Sequence, residues 1–71
     1  MKNIKTGEYG RFHFTLKAKN VITGFDLYAT VIEIDGKRVL IRDNDDLEYL
    51  PKRSDVDRFE REPKPGELIN K

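Results

Sequence analysis

The side chains that most often carry out chemistry are scarce in this sequence. His13 and Ser54 are its only histidine and its only serine, and cysteine is absent. Nucleophilic catalysis requires a nucleophile, a base and a group that orients the base. The pattern around His13 is typical of a histidine on the surface of a strand, and Ser54 is typical of the N-cap of a helical turn. We therefore expect no catalytic residues and a protein that is not an enzyme.

An acidic string, Asp43-Asn44-Asp45-Asp46-Leu47-Glu48, is the one pattern that suggests a cation site. Oxygen ligands at alternate positions suit Ca²⁺. An EF-hand loop counted from Asp43 would need glycine at its sixth position and glutamate at its twelfth, where Glu48 and Ser54 stand. Because Asp and Asn are also ordinary turn residues, the sequence predicts a solvated turn. We expect no metal site, no cofactor and no small-molecule substrate, since a chain this short offers little depth for a pocket.

Charge is distributed unevenly although the net charge is only +1. Residues 1–20 carry five basic side chains and one acidic one, whereas residues 21–50 carry three basic and seven acidic ones. A basic segment can steer an acidic partner, although blocks of this size also occur on ordinary solvated surfaces. Cationic strands can follow a nucleic-acid backbone, but the pI of about 8.0 is low for such a domain. Nucleic-acid binding is therefore the second interpretation of function.

Hydrophobic alternation predicts the principal strands. Residues 11–18 place an apolar side chain at every second position, which is the period of a strand with one buried face. Residues 25–34 alternate in the same way as far as Val31 and then shift to Ile32 and Ile34, which indicates a bulge. Asp35-Gly36 predicts a tight hairpin turn with Gly36 at positive φ. A third strand is expected over residues 37–43.

The remaining segments are predicted from turn formers and breakers. Residues 1–8 read as a flexible lead-in and residues 63–71 as a loose tail, on either side of a single domain at 9–62. Residues 19–24 are predicted to be a connection whose Val21 and Ile22 either fold over the end of the barrel, which is the favoured interpretation, or are exposed for binding. A short strand at 47–50 is stopped by Pro51, and a helical turn capped by Ser54 precedes a last segment at 59–62, a strand or the end of a short helix.

Eleven residues are expected to form the core because they share the buried face of these elements. They are Phe12, Phe14, Leu16, Phe25, Leu27, Ala29, Val31, Val39, Ile41, Val56 and Phe59.

The predicted fold is all-β, with five short strands closed into a small barrel and one helical turn before the last strand. This order resembles the SH3-like small barrel, the group that includes SH3 and Tudor modules. Its most specific part is Leu50-Pro51-Lys52-Arg53-Ser54-Asp55-Val56, where SH3 domains have an apolar residue, a proline, a helical turn and a valine. Tudor-like modules use an aromatic cage, and Tyr9, Tyr28 and Tyr49 are the tyrosines available. The alternative fold is α+β, with a helix over residues 55–62 packed on a curved sheet.

A non-catalytic binding or adaptor module follows as the leading expectation, with a protein partner held at an exposed strand face or edge. The expected contact residues are tyrosines, cations and loop apolar groups: Arg11, His13, Tyr28, Tyr49, Lys19, Val21 and Ile22. Tyr and Arg are the types enriched in binding hot spots. No apolar run approaches the roughly 20 residues of a membrane-spanning helix and no signal peptide is visible, so we expect a cytoplasmic protein without a membrane partner.

Overall fold

The computed structural model describes residues 4–64. They form β1 (Tyr9–Ala18), β2 (Val21–Asp35), β3 (Arg38–Asp43), β4 (Glu48–Tyr49), a 3-10 turn (Arg53–Asp55) and β5 (Val56–Arg61). The strands pair antiparallel in one sheet with the order β4-β3-β2-β1-β5. The prediction of an all-β fold with one helical turn before the last strand is confirmed. The α+β alternative is wrong, because β5 occupies most of its proposed helix.

The sheet is not closed into a barrel, which corrects that part of the prediction. β4 and β5 are its two edges. Residues 51–53, which lie between β4 and β5 in the sequence, make few backbone contacts with the start of β3. Lys52 forms an isolated bridge with Arg38. The Val39 N–H donates to Pro51 O at 3.0 Å, and the Arg53 N–H donates to Lys37 O at 2.7 Å. β4 has only two residues before Pro51, which has no N–H to donate, so no ladder forms there to join the edges.

The core lies on one face of the curved sheet. Its buried members are apolar residues from five segments, the chain before β1 and strands β1, β2, β3 and β5: Ile4, Phe12, Phe14, Ala29, Val31, Val39, Ile41 and Val56. Each of the eleven predicted core residues either belongs to this set or is partly buried and packs against it. Aromatic rings make much of the contact, with Phe12 and Phe59 centroids 4.6 Å apart and Phe14 and Phe25 centroids 5.2 Å apart.

Ile4 joins the core from the segment that the sequence predicts as a flexible lead-in. Its side chain is only 5% exposed. The backbone around it also pairs with β2, because the Gly7 N–H donates to Val31 O and the Val31 N–H donates to Glu8 O, both at 2.8 Å. At the other end, Pro63 and Lys64 lie outside regular structure, and the rest of the predicted tail lies outside the described residues.

The predicted bulge in β2 is confirmed. Val31 pairs with Ile41 and Glu33 pairs with Leu40, so Ile32 is the extra residue. After this shift, Ile34 packs against the core from the position opposite Val39, which explains the change of face within one strand.

The two turns that end β2 and precede β5 differ in how well they were predicted. Gly36 has φ 55°, as expected, and it is the first residue of a two-residue hairpin loop between Asp35 and Arg38. Before β5, however, the N-cap of the 3-10 turn is Lys52 and no side chain caps it. The prediction that Ser54 is the cap is wrong, because Ser54 lies inside the turn.

Candidate binding surfaces

The hairpin of β1 and β2 extends beyond the rest of the sheet. β5 leaves β1 at Phe14, and β3 pairs with β2 only from Ala29 onward. Residues 15–18 and 21–24 therefore pair only with each other, and we call residues 15–24 the ribbon. The molecule is correspondingly elongated, with principal extents of 47 × 22 × 18 Å.

The tip of the ribbon differs from the predicted connection over residues 19–24. Only Lys19 and Asn20 form the turn, with Lys19 at φ 56°, and β2 begins at Val21. Val21 and Ile22 are β-branched and favour the strand conformation. They are 62% and 64% exposed, so the favoured expectation that they fold over the end of a barrel is wrong, and the alternative that they are exposed is confirmed.

Three of the expected contact residues lie on the outer face of the sheet, opposite the core. Arg11 and His13 of β1 stand across from Tyr28 and Asp26 of β2. The Nε and Nη2 atoms of Arg11 each donate to one oxygen of Asp26 at 2.8 Å. This paired hydrogen bond lowers the pKa of Asp26 and raises the pKa of Arg11. Because its charge is already matched by Asp26, Arg11 offers a partner less than its type suggests.

His13 is also engaged on this face. Its Nδ1 lies 3.2 Å from Oδ2 of Asp57. Asp57 is the extra residue of the bulge where β5 leaves β1, since His13 pairs with Arg58 and Phe14 pairs with Val56.

The three tyrosines do not converge. Tyr28 stacks on Tyr9 with ring centroids 6.1 Å apart, and the Tyr9 hydroxyl accepts a hydrogen bond from Asn44 Nδ2 at 2.9 Å. Tyr49 instead lies on the core side, with its ring 5.7 Å from that of Phe14. Tyr49 therefore does not lie on the outer face with Arg11, His13 and Tyr28, and the three tyrosine rings do not form a cage.

The acidic turn is held together by its first residue. Asp43 Oδ1 accepts hydrogen bonds from the N–H groups of Leu47 and Asp45, at 2.9 and 2.8 Å. Asp43 Oδ2 accepts from the Tyr49 hydroxyl at 3.1 Å. These hydrogen bonds lower the pKa of Asp43, and the bond from the Leu47 N–H contributes most. The pKa of Tyr49 is raised, chiefly by burial of its hydroxyl and next by the hydrogen bond to Asp43. Across residues 4–64, His, Asp and Glu form no group of three or more suited to a metal ion.

A cationic surface that the sequence reasoning missed lies beside the ribbon. It lines two open clefts that share Lys52. The larger, of about 710 Å³, is lined by Gly36, Lys37, Lys52, Arg53 and Ser54. The smaller, of about 230 Å³, is lined by Thr15, Leu16, Lys17, Arg38, Lys52 and Asp55. We call its five cations, Lys17, Lys37, Arg38, Lys52 and Arg53, the basic strip.

The cations of the basic strip form no ion pair in the described part of the chain, although Asp55 lines the smaller cleft. The ion pairs seen there use other cations, those of Arg11, Arg42 and Arg61, together with His13. Arg38 Nη1 donates to the carbonyl of Leu50 at 3.1 Å, and Arg53 Nε is buried with no hydrogen-bond partner. The sequence signal was the pair of dipeptides Lys37-Arg38 and Lys52-Arg53, which the contact between β3 and residues 51–53 brings together.

Similarity to known proteins gives no information on the function of this chain. No family model, no curated protein and no solved structure matches the chain. Residues 4–64 contain no helix with the length and apolar character needed to cross a membrane.

Proposed function

We propose that this chain is a non-catalytic binding module that takes a protein partner on the ribbon. The observation that carries the proposal is the unpaired edge on each side of it. Residues 15–18 of β1 have no strand neighbour except β2, and residues 21–28 of β2 have none except β1, within the described range. Backbone N–H and C=O groups at a free strand edge can be paired by an added strand from another chain.

The contrast with the other edges of the sheet supports the choice of the ribbon. Proteins guard free edges by keeping them short, charged or bulged. β4 has two residues, and β5 carries four charged side chains among its six residues as well as a bulge. Residues 21–25 of β2, in contrast, are Val, Ile, Thr, Gly and Phe, with no charge at all. An edge left without these protections is the one we expect a partner to cover.

Exposed apolar groups at the tip add to this argument. Val21 and Ile22 lie side by side and are each more than three-fifths exposed. Neighbouring apolar residues that are exposed together mark interaction sites more often than scattered single ones do. A strand added along β2 would cover both residues while it pairs with the backbone.

Membership of the SH3-like group is the finer part of the proposal. It is supported by the sheet order, in which β1 lies between β2 and β5, and by the 3-10 turn directly before β5. A cytoplasmic location and the absence of a membrane partner, both expected from the sequence, stay predictions.

Photo-crosslinking in the native cells tests this proposal. A photoreactive amino acid replaces Ile22 in one variant and Glu60, an exposed residue of β5, in a matched control. Melting curves first establish that both variants fold like the parent. We expect Ile22 to give a discrete protein adduct that Glu60 does not give. Equal labelling from both positions, or adducts with nucleic acid alone, would contradict a protein partner on the ribbon.

A further inference from the structure

The basic strip lies against one free edge of the ribbon. Its smaller cleft is lined by Thr15, Leu16 and Lys17 of β1 together with Arg38, Lys52 and Asp55. The lining of this cleft therefore combines residues from an unpaired strand edge with three cations and one acid, Asp55. A ligand that fills it meets unpaired backbone groups and positive charge together.

We propose that an acidic, extended segment of a partner protein adds to β1 at residues 15–18 and places its carboxylates on the basic strip. This inference rests on the proposed function, because it names the chemistry of the partner strand. It adds a second contact on the β1 side of the ribbon, where charge decides binding, to the contact on the uncharged β2 edge and the exposed Val21 and Ile22.

The outer edge of β1 is unpaired beyond the point where its pairing with β5 ends. Val56, the first residue of β5, pairs with Phe14, and no residue before it pairs with β1. The 3-10 turn before Val56 contacts β1 but makes no backbone hydrogen bond to residues 15–18. Residues 15–18 make no backbone hydrogen bond other than those of the ladder with β2, within the described chain. An added strand would occupy the line of β5 and continue the sheet.

The charge of the cleft walls favours an acidic strand over a neutral or basic one. Asp55 is the one acidic residue that lines either cleft, against five cations. Asp35 stands across from Arg38 in the hairpin but forms no ion pair with it. Alternate side chains of a strand point to the same face about 7 Å apart, so several carboxylates can face the strip at once.

A peptide fits these features better than a nucleic acid does. Single-stranded nucleic acids bind where cations lie beside aromatic side chains on which bases stack. No aromatic residue lines either cleft. Tyr28, the exposed aromatic of the described chain, stacks on Tyr9 near Arg11, four residues before the cleft begins on β1. A nucleic acid would use the cations but leave the edge of β1 unpaired.

Titration of the isotope-labelled protein, followed by backbone amide NMR shifts, tests the inference. The probes are a short peptide of alternating Glu and Val, the same peptide with Gln in place of Glu, and the acidic peptide with alternate backbone nitrogens methylated. A short single-stranded DNA is the fourth probe. We expect the acidic peptide to shift the amides of residues 15–18 and to bind about tenfold more tightly than the Gln peptide. Methylation should abolish binding, because it removes the N–H groups that pair with β1.

Charge-reversal variants separate the basic strip from the overall charge. Lys37→Glu with Lys52→Glu should weaken the acidic peptide about tenfold or more. Lys5→Glu with Arg58→Glu changes the net charge equally at positions outside both clefts, and it should leave binding within about twofold because exposed charges at a distance are screened. Melting curves confirm that each pair of substitutions leaves the fold intact.

The outcomes distinguish the two proposals. If the acidic and the Gln peptides bind residues 15–18 equally, the ribbon edge accepts a strand, the proposed function stands and the acidic preference is wrong. If no peptide binds while Ile22 still cross-links to a protein, the β1 edge is not the site and the inference alone falls. If neither occurs, both fall. Binding of the DNA without binding of the acidic peptide, lost in the Lys37/Lys52 variant, would make the strip a nucleic-acid site and overturn the inference.

Discussion

Substitution of Gly10 by alanine should destabilise the junction of β1 and β5. Gly10 pairs with Arg61, and a methyl group placed on it would collide with the backbone oxygen of Glu60. The same group would come within 2.7 Å of Phe59 Cε1 and 2.9 Å of the Glu60 carbonyl carbon. Since two of these three atoms belong to the backbone of a paired strand, relief requires β5 to move away from β1.

The size of this effect follows from two opposing terms. Forcing an extra carbon into a packed site costs about 1–3 kcal/mol. Alanine loses less backbone entropy than glycine on folding, which returns about 0.5–1 kcal/mol. Because the obstructing atoms belong mainly to the backbone, we expect the steric cost to lie near its upper limit. The free energy of unfolding should therefore fall by about 2 kcal/mol. A domain of this length has a free energy of unfolding of about 4–11 kcal/mol, so the loss is a large share of it.

Gly24→Ala is the matched control, and urea unfolding is the assay. Gly24 also lies in a strand, but nothing stands within 4 Å of the position that its Cβ would take. We expect this variant to equal the parent or to gain up to about 1 kcal/mol. The urea concentrations at the midpoint of unfolding are compared, provided that the free energy of unfolding falls with urea at the same slope in both variants. If the two variants agree within about 0.5 kcal/mol, the close approach of β5 to Gly10 is refuted.

Three further predictions concern the core, the β2–β3 turn and the acidic turn. Phe14→Ala should lower the free energy of unfolding by about 3–5 kcal/mol, because Phe14 is fully buried. Leu47→Ala, at a residue that is 57% exposed, should lower it by less than about 0.5 kcal/mol in the same urea unfolding experiment. Similar losses in the two variants would contradict the assignment of Phe14 to the core. Gly36→Val should lower the melting temperature more than Gly36→Asn, since Asn tolerates a φ of 55°, and equal losses would count against the turn. Asp43 has a pKa below its ordinary 3.8, so it stabilises the fold above that pH and ceases to do so as pH falls through the lowered value. The difference in melting temperature between the parent and Asp43→Asn should therefore shrink in acid, and a constant difference would contradict this.

Features set by neighbouring residues were predictable from the sequence. The alternation around Phe12 and Phe14 predicted the buried face of β1, and the shift after Val31 predicted the bulge at Ile32. Gly36 was predictable because a tight hairpin needs a residue that accepts positive φ. Each of these rests on a local preference that the rest of the fold does not override.

Features set by distant contacts were not predictable. Barrel closure depended on whether residues 50–53 would pair fully with β3, and they make only a single bridge. Tyr49 faces the core because its partner Ile41 does, a register that alternation within a two-residue strand cannot fix. Val21 and Ile22 were placed inside on the ground that a small domain needs its apolar residues, yet their pairing with Ala18 and Lys17 holds them on the ribbon. The basic strip draws on three separate segments.

The most direct test of the ribbon as the binding surface makes the same change, apolar residue to lysine, at two exposed apolar pairs. One variant carries Val21→Lys and Ile22→Lys, and the other carries Leu47→Lys and Leu50→Lys, at residues 57% and 48% exposed. The parent and both variants are immobilised in turn and incubated with the protein that cross-links at position 22. The amount of that protein bound to each is then measured. If the partner binds the ribbon, the Val21/Ile22 variant should fold but lose this partner, whereas the Leu47/Leu50 variant should still bind it. Loss of the partner only in the Leu47/Leu50 variant would place the binding surface elsewhere and contradict the account.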